Sequence, residues 1–478
     1  MPTTNGNRKI LDMKRWEFCT PAPSATSGGA LISSSRHFKQ QQLYLASGTL
    51  AYIYQPQEDG FIQLPSPALS GTFGAGACAV ASAWSTGSTV GVAFLTATAG
   101  TTSSITTNQS ITRDLRGYSV HILSGPNAGV TATIASNTVG ASSVITFTTT
   151  YGSAFNATTT YRLITPRWYV INAGTLASGI AKVYDYATST WITLGATNLP
   201  ASIGTDSRLV STPSWIETGY VQFATGTATS ATGSTLVNTA KAWTVNQWAN
   251  YQVRIVSGTG AGQIRSITSN TATALTVPVW TITPDATSVY SIEGNDDYLY
   301  YMGSGSVNLI RYSISSNTWT LLSPTVARSS TPGVGMSGHW VYGVTDSAWT
   351  AENTIRNGRY IYSFRGSASE TLARYDIAAN TWENALTYAP GAETVSTGTK
   401  YTYNTDYIYI QKDSTGRWLR FNLTTSEMEA FNTFLFPNST AVVGDTAFDV
   451  TYTDGATKIV YIYMILNSST VMLRQMVI

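Results

Sequence analysis

One phrase recurs along this chain at one spacing: Tyr184-Asp185 to Trp191, Tyr312-Ser313 to Trp319, and Tyr375-Asp376 to Trp382, each with a threonine just before the tryptophan. A recurring phrase signals a recurring supersecondary unit whose copies bury their apolar faces against one another. Relaxing the aromatic positions to any large apolar residue adds Tyr54 to Phe61 and Phe421 to Met428 at the same seven-residue interval. Each of these two copies is followed by a proline that ends the element, Pro65 and Pro437.

Each copy follows a short alternating run of aromatic and branched residues: Leu43 to Leu45, Trp168 to Ile171, Tyr298 to Tyr301, Tyr360 to Tyr362, Tyr407 to Ile410, and Ile459 to Tyr463. Such alternation, bounded by Gly, Ser, Asn and Asp, suits a strand, because successive side chains leave opposite faces of the pleat. The sixth run has no tryptophan after it before Ile478. Arg15-Trp16-Glu17-Phe18 with Pro21 has the missing Trp-then-Pro form, so the N-terminal strand is expected to pair with the strand around Leu473 to Val477 and close the last sheet.

The Tyr-Asp turn, the following Trp and a step near fifty residues resemble the kelch-type β-propellers. The resemblance implies an all-β, six-bladed kelch-like β-propeller, with Tyr184, Trp191, Tyr312, Trp319, Tyr375, Trp382 and Trp16 as blade-packing residues. A regular Gly-Gly doublet after the second strand is missing, with Gly174, Gly303 and Gly366 single at about that place.

Spacing exposes two interruptions. Tyr54 to Tyr184 and Tyr184 to Tyr312 each exceed twice the repeat, which divides the chain into propeller at 1–85, 166–218 and 294–478, with inserted β modules at 86–165 and 219–293. The two inserts are related: Tyr118 to Asn137 aligns without a gap on Tyr251 to Asn270, and about half of the twenty positions are identical. Both are expected to share one small all-β fold, each emerging between one blade's outer strand and the next blade's inner strands.

The second insert, from Ala242-Trp243-Thr244-Val245-Asn246-Gln247-Trp248 through Gly260-Ala261-Gly262-Gln263-Ile264-Arg265 to Tyr290, resembles a module of structural proteins from tailed bacteriophages. That resemblance implies a virion component. A propeller in this setting is similar to ring-forming proteins of the tail nozzle or hub, which implies a homo-oligomeric ring, hexamer or dodecamer. Its implied partners are other head-to-tail or tail proteins and tail fibres, with DNA only in transit. The alternative is a carbohydrate- or receptor-binding tail protein that uses the inserts for recognition. Trp243, Trp248, Arg254 and Arg265 are the candidate interface residues, and Trp243, Trp248 and Trp280 could equally fill the insert's own core.

Charged residues make up only 11% of the 478 positions, and the net charge is +2. That balance gives no sequence-wide attraction to nucleic acid or an anionic membrane. Residues 1–10 are polar and no apolar run is long enough to span a bilayer, so the expectation is a soluble chain made in the host cytoplasm, without membrane insertion. Cys19 and Cys78 lie in no metal-spacing motif and read as buried free thiols, with a disulfide as the alternative.

Catalytic readings find little to stand on. The histidines are His37, His121 and His339, on separate elements, and read as solvent-facing or turn residues. Arg328, Arg356, Arg359 and Arg365 cluster in sequence without the pattern a sialidase needs, and read as rim and interface residues. Asp296-Asp297 and Glu427/Glu429 read as turn residues, since a paired-carboxylate hydrolase needs convergence across a cleft. Gly258 to Gly262 sits between strands without Gly-Lys-Ser/Thr, so a hairpin turn is expected there. The expectation is a non-enzymatic protein with no cofactor and no metal.

Overall fold

The structure is a computed structural model that describes residues 16–24, 30–33, 42–67, 73, 77–82, 85–92, 94–177, 179–204, 207–211, 224–295, 297–303, 306–329, 360–364, 371–388, 400–403, 407–411, 418–422, 425, 427–431, 447–454, 457–465 and 469–477. The described chain is all-β, with antiparallel pairing throughout. Among the described residues no helix is long and apolar enough to cross a membrane.

After β1 (Trp16–Phe18) come β2 (Ala30–Ser33), β3 (Leu43–Ser47), β4 (Leu50–Gln55) and β5 (Gly60–Gln63), which form sheet I. A single strand, β6 (Cys78–Ser82), precedes the first module, made of β7 (Leu95–Gly100), β8 (Ser104–Thr107), β9 (Ser119–Ser124), β10 (Thr131–Asn137), β11 (Val144–Phe147) and β12 (Thr160–Ile164). Beyond it lie β13 (Arg167–Ile171), β14 (Gly174–Thr175), β15 (Ala181–Asp185), β16 (Thr190–Thr193) and β17 (Ser202–Ile203). Strands β6, β13, β15 and β16 form sheet II, and β14 pairs separately with β17.

The pattern then repeats. β18 (Arg208–Ser211) precedes the second module, β19 (Ala224–Thr227), β20 (Ser230–Thr232), β21 (Thr235–Val237), β22 (Gln252–Ser257), β23 (Ile264–Ser266), β24 (Ser269–Asn270), β25 (Ala274–Thr276) and β26 (Val289–Glu293). Sheet III is β18 with β27 (Tyr298–Met302), β28 (Leu309–Ser313) and β29 (Thr318–Leu321). Sheet IV is described by β30 (Tyr360–Phe364), β31 (Thr371–Asp376) and β32 (Thr381–Tyr388). Sheet V is β33 (Lys400–Tyr403), β34 (Tyr407–Gln411), β35 (Trp418–Asn422) and β36 (Glu427–Phe431). Sheet VI is β37 (Ala447–Asp454), β38 (Thr457–Ile465) and β39 (Met472–Val477), completed by β1. The pairing is Trp16 opposite Gln475, Glu17 opposite Arg474 and Phe18 opposite Leu473, so the N-terminal strand occupies the edge position expected for it.

Alternation explains how the sheets follow one another. In β27, Leu299 and Tyr301 pack with sheet II residues Tyr169 and Ile171, whereas Tyr300 and Met302 pack with sheet IV residues Ile361 and Tyr375. Trp168 and Val170 turn instead to Tyr44 and Ala46 of sheet I. Tyr362 meets Ile408 and Ile410, and Tyr409 meets Ile462 and Met464. Finally Tyr463 and Ile465 of sheet VI pack on Leu43 and Leu45 of sheet I. Period-two side chains on β3, β13, β27, β30, β34 and β38 are therefore buried on both faces, one against the preceding sheet and one against the next, and the described apolar clusters run from sheet I to sheet VI and from sheet VI back to sheet I.

The repeated phrase is a turn braced by its own tyrosine. Tyr54 Oη donates to Asp59 Oδ1 at 2.5 Å, Tyr312 Oη to Asn317 Oδ1 at 2.8 Å, and Tyr375 Oη to Asn380 Oδ1 at 2.7 Å. Those acceptors and Ser189 have φ of 49°, 54°, 50° and 52°, the left-handed conformation that short polar residues tolerate best. The turn sets the register that places Tyr184 opposite Trp191, Tyr312 opposite Trp319 and Tyr375 opposite Trp382.

One expectation needs correction. The modules do not emerge between one sheet and the next: β6 and β13 are paired neighbours in sheet II, as are β18 and β27 in sheet III. Each module is therefore inserted inside a sheet, between its first and second strands. Those first strands, Cys-Ala-Val-Ala-Ser and Arg-Leu-Val-Ser, do not read as sheet members because they carry small or mixed side chains and none of the aromatic alternation that marks the others.

Candidate functional site: the paired modules

The two modules are built alike. In the first, six strands close into a barrel in the order β10-β11-β8-β7-β12-β9. In the second, β19-β26-β22-β23 and β20-β21-β25-β24 reproduce that order, with β19/β20 standing where β7 is one strand and β23/β24 where β10 is one strand. Turn chemistry matches as well. Asn156 Oδ1 accepts from Thr158 N at 2.8 Å and Thr158 Oγ1 at 2.6 Å, and Asp285 Oδ1 accepts from Thr287 N and Oγ1 at the same distances. Asn137 Oδ1 accepts from Leu115 N and Asn270 Oδ1 from Trp248 N, both at 2.7 Å.

The modules face each other through equivalent positions. A Cβ on Gly262 would lie 1.9 Å from the Leu123 carbonyl oxygen, and one on the equivalent Gly129 would lie 3.5 Å from the Val256 carbonyl oxygen. His121 and Arg254 occupy matching places on β9 and β22, and His121 Nε2 lies 2.8 Å from Arg254 Nη1. Contact of i with j matched by j with i is the mark of an isologous interface, here formed within one chain. Gly262, at φ 87°, permits the close approach. Gly262→Ala is expected to destabilise the junction by about 1–3 kcal/mol, as overpacking does, read as faster amide exchange in Leu123 to Gly129 than in the parent.

A charged cluster lies at this junction. Arg254 pairs with Glu293 through Nε and Nη2, both side chains being almost fully buried. Arg162 on β12 stands directly opposite His121. His121 Nδ1 lies 2.9 Å from Thr131 Oγ1 on β10. Burial first, then Arg254 and Arg162, hold the imidazole well below the usual histidine range.

The candidate interface residues are thereby redistributed. Trp243 and Trp248 are buried in the second module's own core, with Tyr251, Val253 and Tyr290, and Arg254 is buried at the junction. All three side chains are buried within the chain itself. Arg265 stays at the surface, over the Trp280 ring at 5.5 Å and donating to the Val279 carbonyl at 3.0 Å. His121, expected to face solvent, is fully buried, while His37 and His339 lie outside the described residues. Arg328 is also buried, donating to Ser363 Oγ at 2.6 Å and lying over the Trp382 ring, so it belongs between sheets III and IV and not on a rim. Arg356, Arg359, Arg365 and Asp296 lie outside the described residues.

Elsewhere the titratable groups brace turns and strands. Asp297 accepts from Ser315 N at 2.7 Å and Ser313 Oγ at 2.6 Å. Gly258, Gly260 and Gly262 all have positive φ in the hairpin joining β22 to β23. A ladder missed by sequence reading runs through sheets IV to VI: Arg374 with Glu383, Arg420 with Glu429 and Arg474 with Glu17, at 2.7, 2.6 and 2.9 Å. Those arginines lie over Tyr360, Tyr407 and Tyr461. Arg before an aromatic, at Arg374-Tyr375 and Arg420-Phe421, and Glu after Trp or Met was the available signal; in sheet VI only its second half is present, at Trp16-Glu17.

Cys19 and Cys78 are buried free thiols; Cys78 begins β6, while Cys19 follows β1. Burial pushes them up to about 11 and about 12 respectively. Neither is expected to react appreciably with maleimide at pH 7.5 until the chain is denatured, which intact-mass spectrometry reads directly. Among the described residues no group of three or more His, Cys, Asp or Glu could hold a metal ion.

No protein-family model matches the chain, and no curated protein matches it. A solved protein of unknown function from Bacteroides thetaiotaomicron is similar over 76% of each chain, at 9% identity and a TM-score of 0.24.

Proposed function

We propose that the six sheets are the blades of a kelch-like propeller, and that the chain is a structural subunit of a tailed-phage particle. In this reading it forms a ring in the tail nozzle or hub, extends the DNA conduit, and docks neighbouring tail proteins or fibres. The observation that carries the architecture is the closed cycle of six apolar interfaces ending in the pairing of β1 with β39. Closing a ring this way removes the exposed first and last sheet faces and protects an edge. The phage assignment rests on the wording of the second module, Ala242 to Tyr290. A shape-presenting role fits the ion pairs Arg254–Glu293, Arg374–Glu383, Arg420–Glu429 and Arg474–Glu17, each of which braces neighbouring strands.

The receptor-binding alternative loses its main support in the second module, because a sugar-stacking platform needs exposed aromatic faces and Trp243, Trp248 and Trp280 are buried. Gradient-purified phage particles test the proposal. Mass spectrometry should find the chain as a stoichiometric component, and antibody against it should decorate the tail in electron micrographs. Absence from the particles, or depolymerisation of host polysaccharide by the purified chain, overturns it.

A further inference from the structure

We propose that the junction between the two modules is an acid-sensitive latch: a neutral His121 holds it closed, and protonation of His121 opens it. A guanidinium has only N–H groups to offer, so the 2.8 Å contact between Arg254 Nη1 and His121 Nε2 is a hydrogen bond only if Nε2 is an unprotonated acceptor. The ring proton then sits on Nδ1, where Thr131 Oγ1 lies 2.9 Å away to receive it. This bond joins strands of different modules at the matched positions of their isologous interface.

Protonating Nε2 turns that bond into two N–H groups, on two cations, pointing at each other in a site closed to water. The charged groups facing His121 are Arg162 from β12 and Arg254 from β22, with Glu293 of β26 already engaged by Arg254 through Nε and Nη2. A third cation beside Arg162 and Arg254 is relieved most simply by moving the modules apart, since His121 and Arg254 reach each other only across the junction.

The sign follows from linkage. A solvent-exposed imidazole takes up its proton near pH 6.5, whereas burial, Arg254 and Arg162 hold the docked one well below that. The separated state therefore binds more protons, and the junction's stability, complete above about pH 6.5, falls as the pH drops below it.

The test combines two measurements on the full chain between pH 8 and pH 5. Spectra of ¹⁵N-labelled histidine report the His121 tautomer and its protonation, with the signal assigned by its loss in His121→Gln. Paired spin labels at Val139→Cys and Val245→Cys, exposed positions on the two modules, report their separation in a Cys19→Ala, Cys78→Ala background. The expected result is an Nδ1–H tautomer with one narrow distance at pH 7.5, and loss of that narrow distance as Nε2 becomes protonated. His121→Gln, which keeps an acceptor for Arg254 but does not titrate, should hold the narrow distance down to pH 5. Three results overturn the proposal: Nε2 protonated at pH 7.5, a His121 that stays neutral to pH 5, or an unchanged distance while His121 titrates. A glutamine variant that opens at the parent's pH overturns it equally. If that variant fails to fold, the parent's tautomer and distance titrations decide alone, with the signal assigned by its sensitivity to Arg254→Lys.

Discussion

Replacing Asp185 with alanine is expected to destabilise the chain by about 3–5 kcal/mol, the cost of leaving a buried charge without its partner. Asp185 and Arg167 are both fully buried, and Arg167 Nε donates to Asp185 Oδ2 at 2.8 Å. The carboxylate also accepts from Ser85 Oγ at 2.5 Å and from Thr188 N and Oγ1 at 3.1 Å. Arg167 Nη2 donates to the carbonyls of Gly87 and Thr89. Burial works against the arginine's charge, but Tyr169 and Asp185 outweigh it and hold the group above its ordinary range. The cluster ties the chain entering the first module to sheet II, so urea unfolding followed by tryptophan fluorescence should show an early loss around Trp168 and Trp191.

Two comparisons separate charge from packing. The double change Arg167→Met with Asp185→Leu removes both charges at similar volume and should recover most of the loss. Glu383→Ala breaks a pair whose side chains are 17% and 49% exposed, and should cost no more than about 1 kcal/mol. An Asp185→Ala loss as small as that of Glu383→Ala would show that water reaches the Arg167 site after all.

What could be read from sequence was what depends on neighbours a few positions away. The Tyr-to-Trp phrase is legible because one hairpin contains both residues, the left-handed residue between them and the hydroxyl that braces it. Alternation in β27 was legible as a strand, and its burial on both faces follows once sheets flank it on each side. The first strands of sheets I to III were not legible as members of their sheets, because Ala30–Ser33, Cys78–Ser82 and Arg208–Ser211 offer little pattern and two of them are separated from their partners by a whole module. His121 shows the same limit in the candidate site. A histidine in an alternating run looks like a surface residue until Arg254 of the other module covers it, and the alignment of the modules contained that pairing without revealing that the two aligned positions meet.

Truncating Trp319 to alanine should cost about 3–5 kcal/mol, as for other buried large aromatics, and should do so by loosening two sheets from each other. The residue is 2% exposed and lies in the apolar cluster shared by sheets II and III. The Tyr312 ring packs on it with centroids 4.6 Å apart. The indole Nε1 donates to the Gly195 carbonyl at 2.7 Å, and Asn198 Nδ2 donates to the Trp319 carbonyl at the same distance, so the residue is bound to the segment leaving sheet II by both its ends. Trp191 makes the corresponding bond to the Pro65 carbonyl at 2.8 Å but is only half-buried. Trp191→Ala should therefore lose less than Trp319→Ala, since less apolar surface leaves water at that site. Trp319→Phe keeps most of the apolar contact and deletes the donor, leaving the Gly195 carbonyl without that bond at a cost of about 1–3 kcal/mol. Measured by denaturant midpoints at constant slope, the order of loss should be Trp319→Ala above both Trp319→Phe and Trp191→Ala. Equal losses for the two alanine variants would mean that the bond to the preceding sheet, common to both tryptophans, outweighs the buried area that distinguishes them.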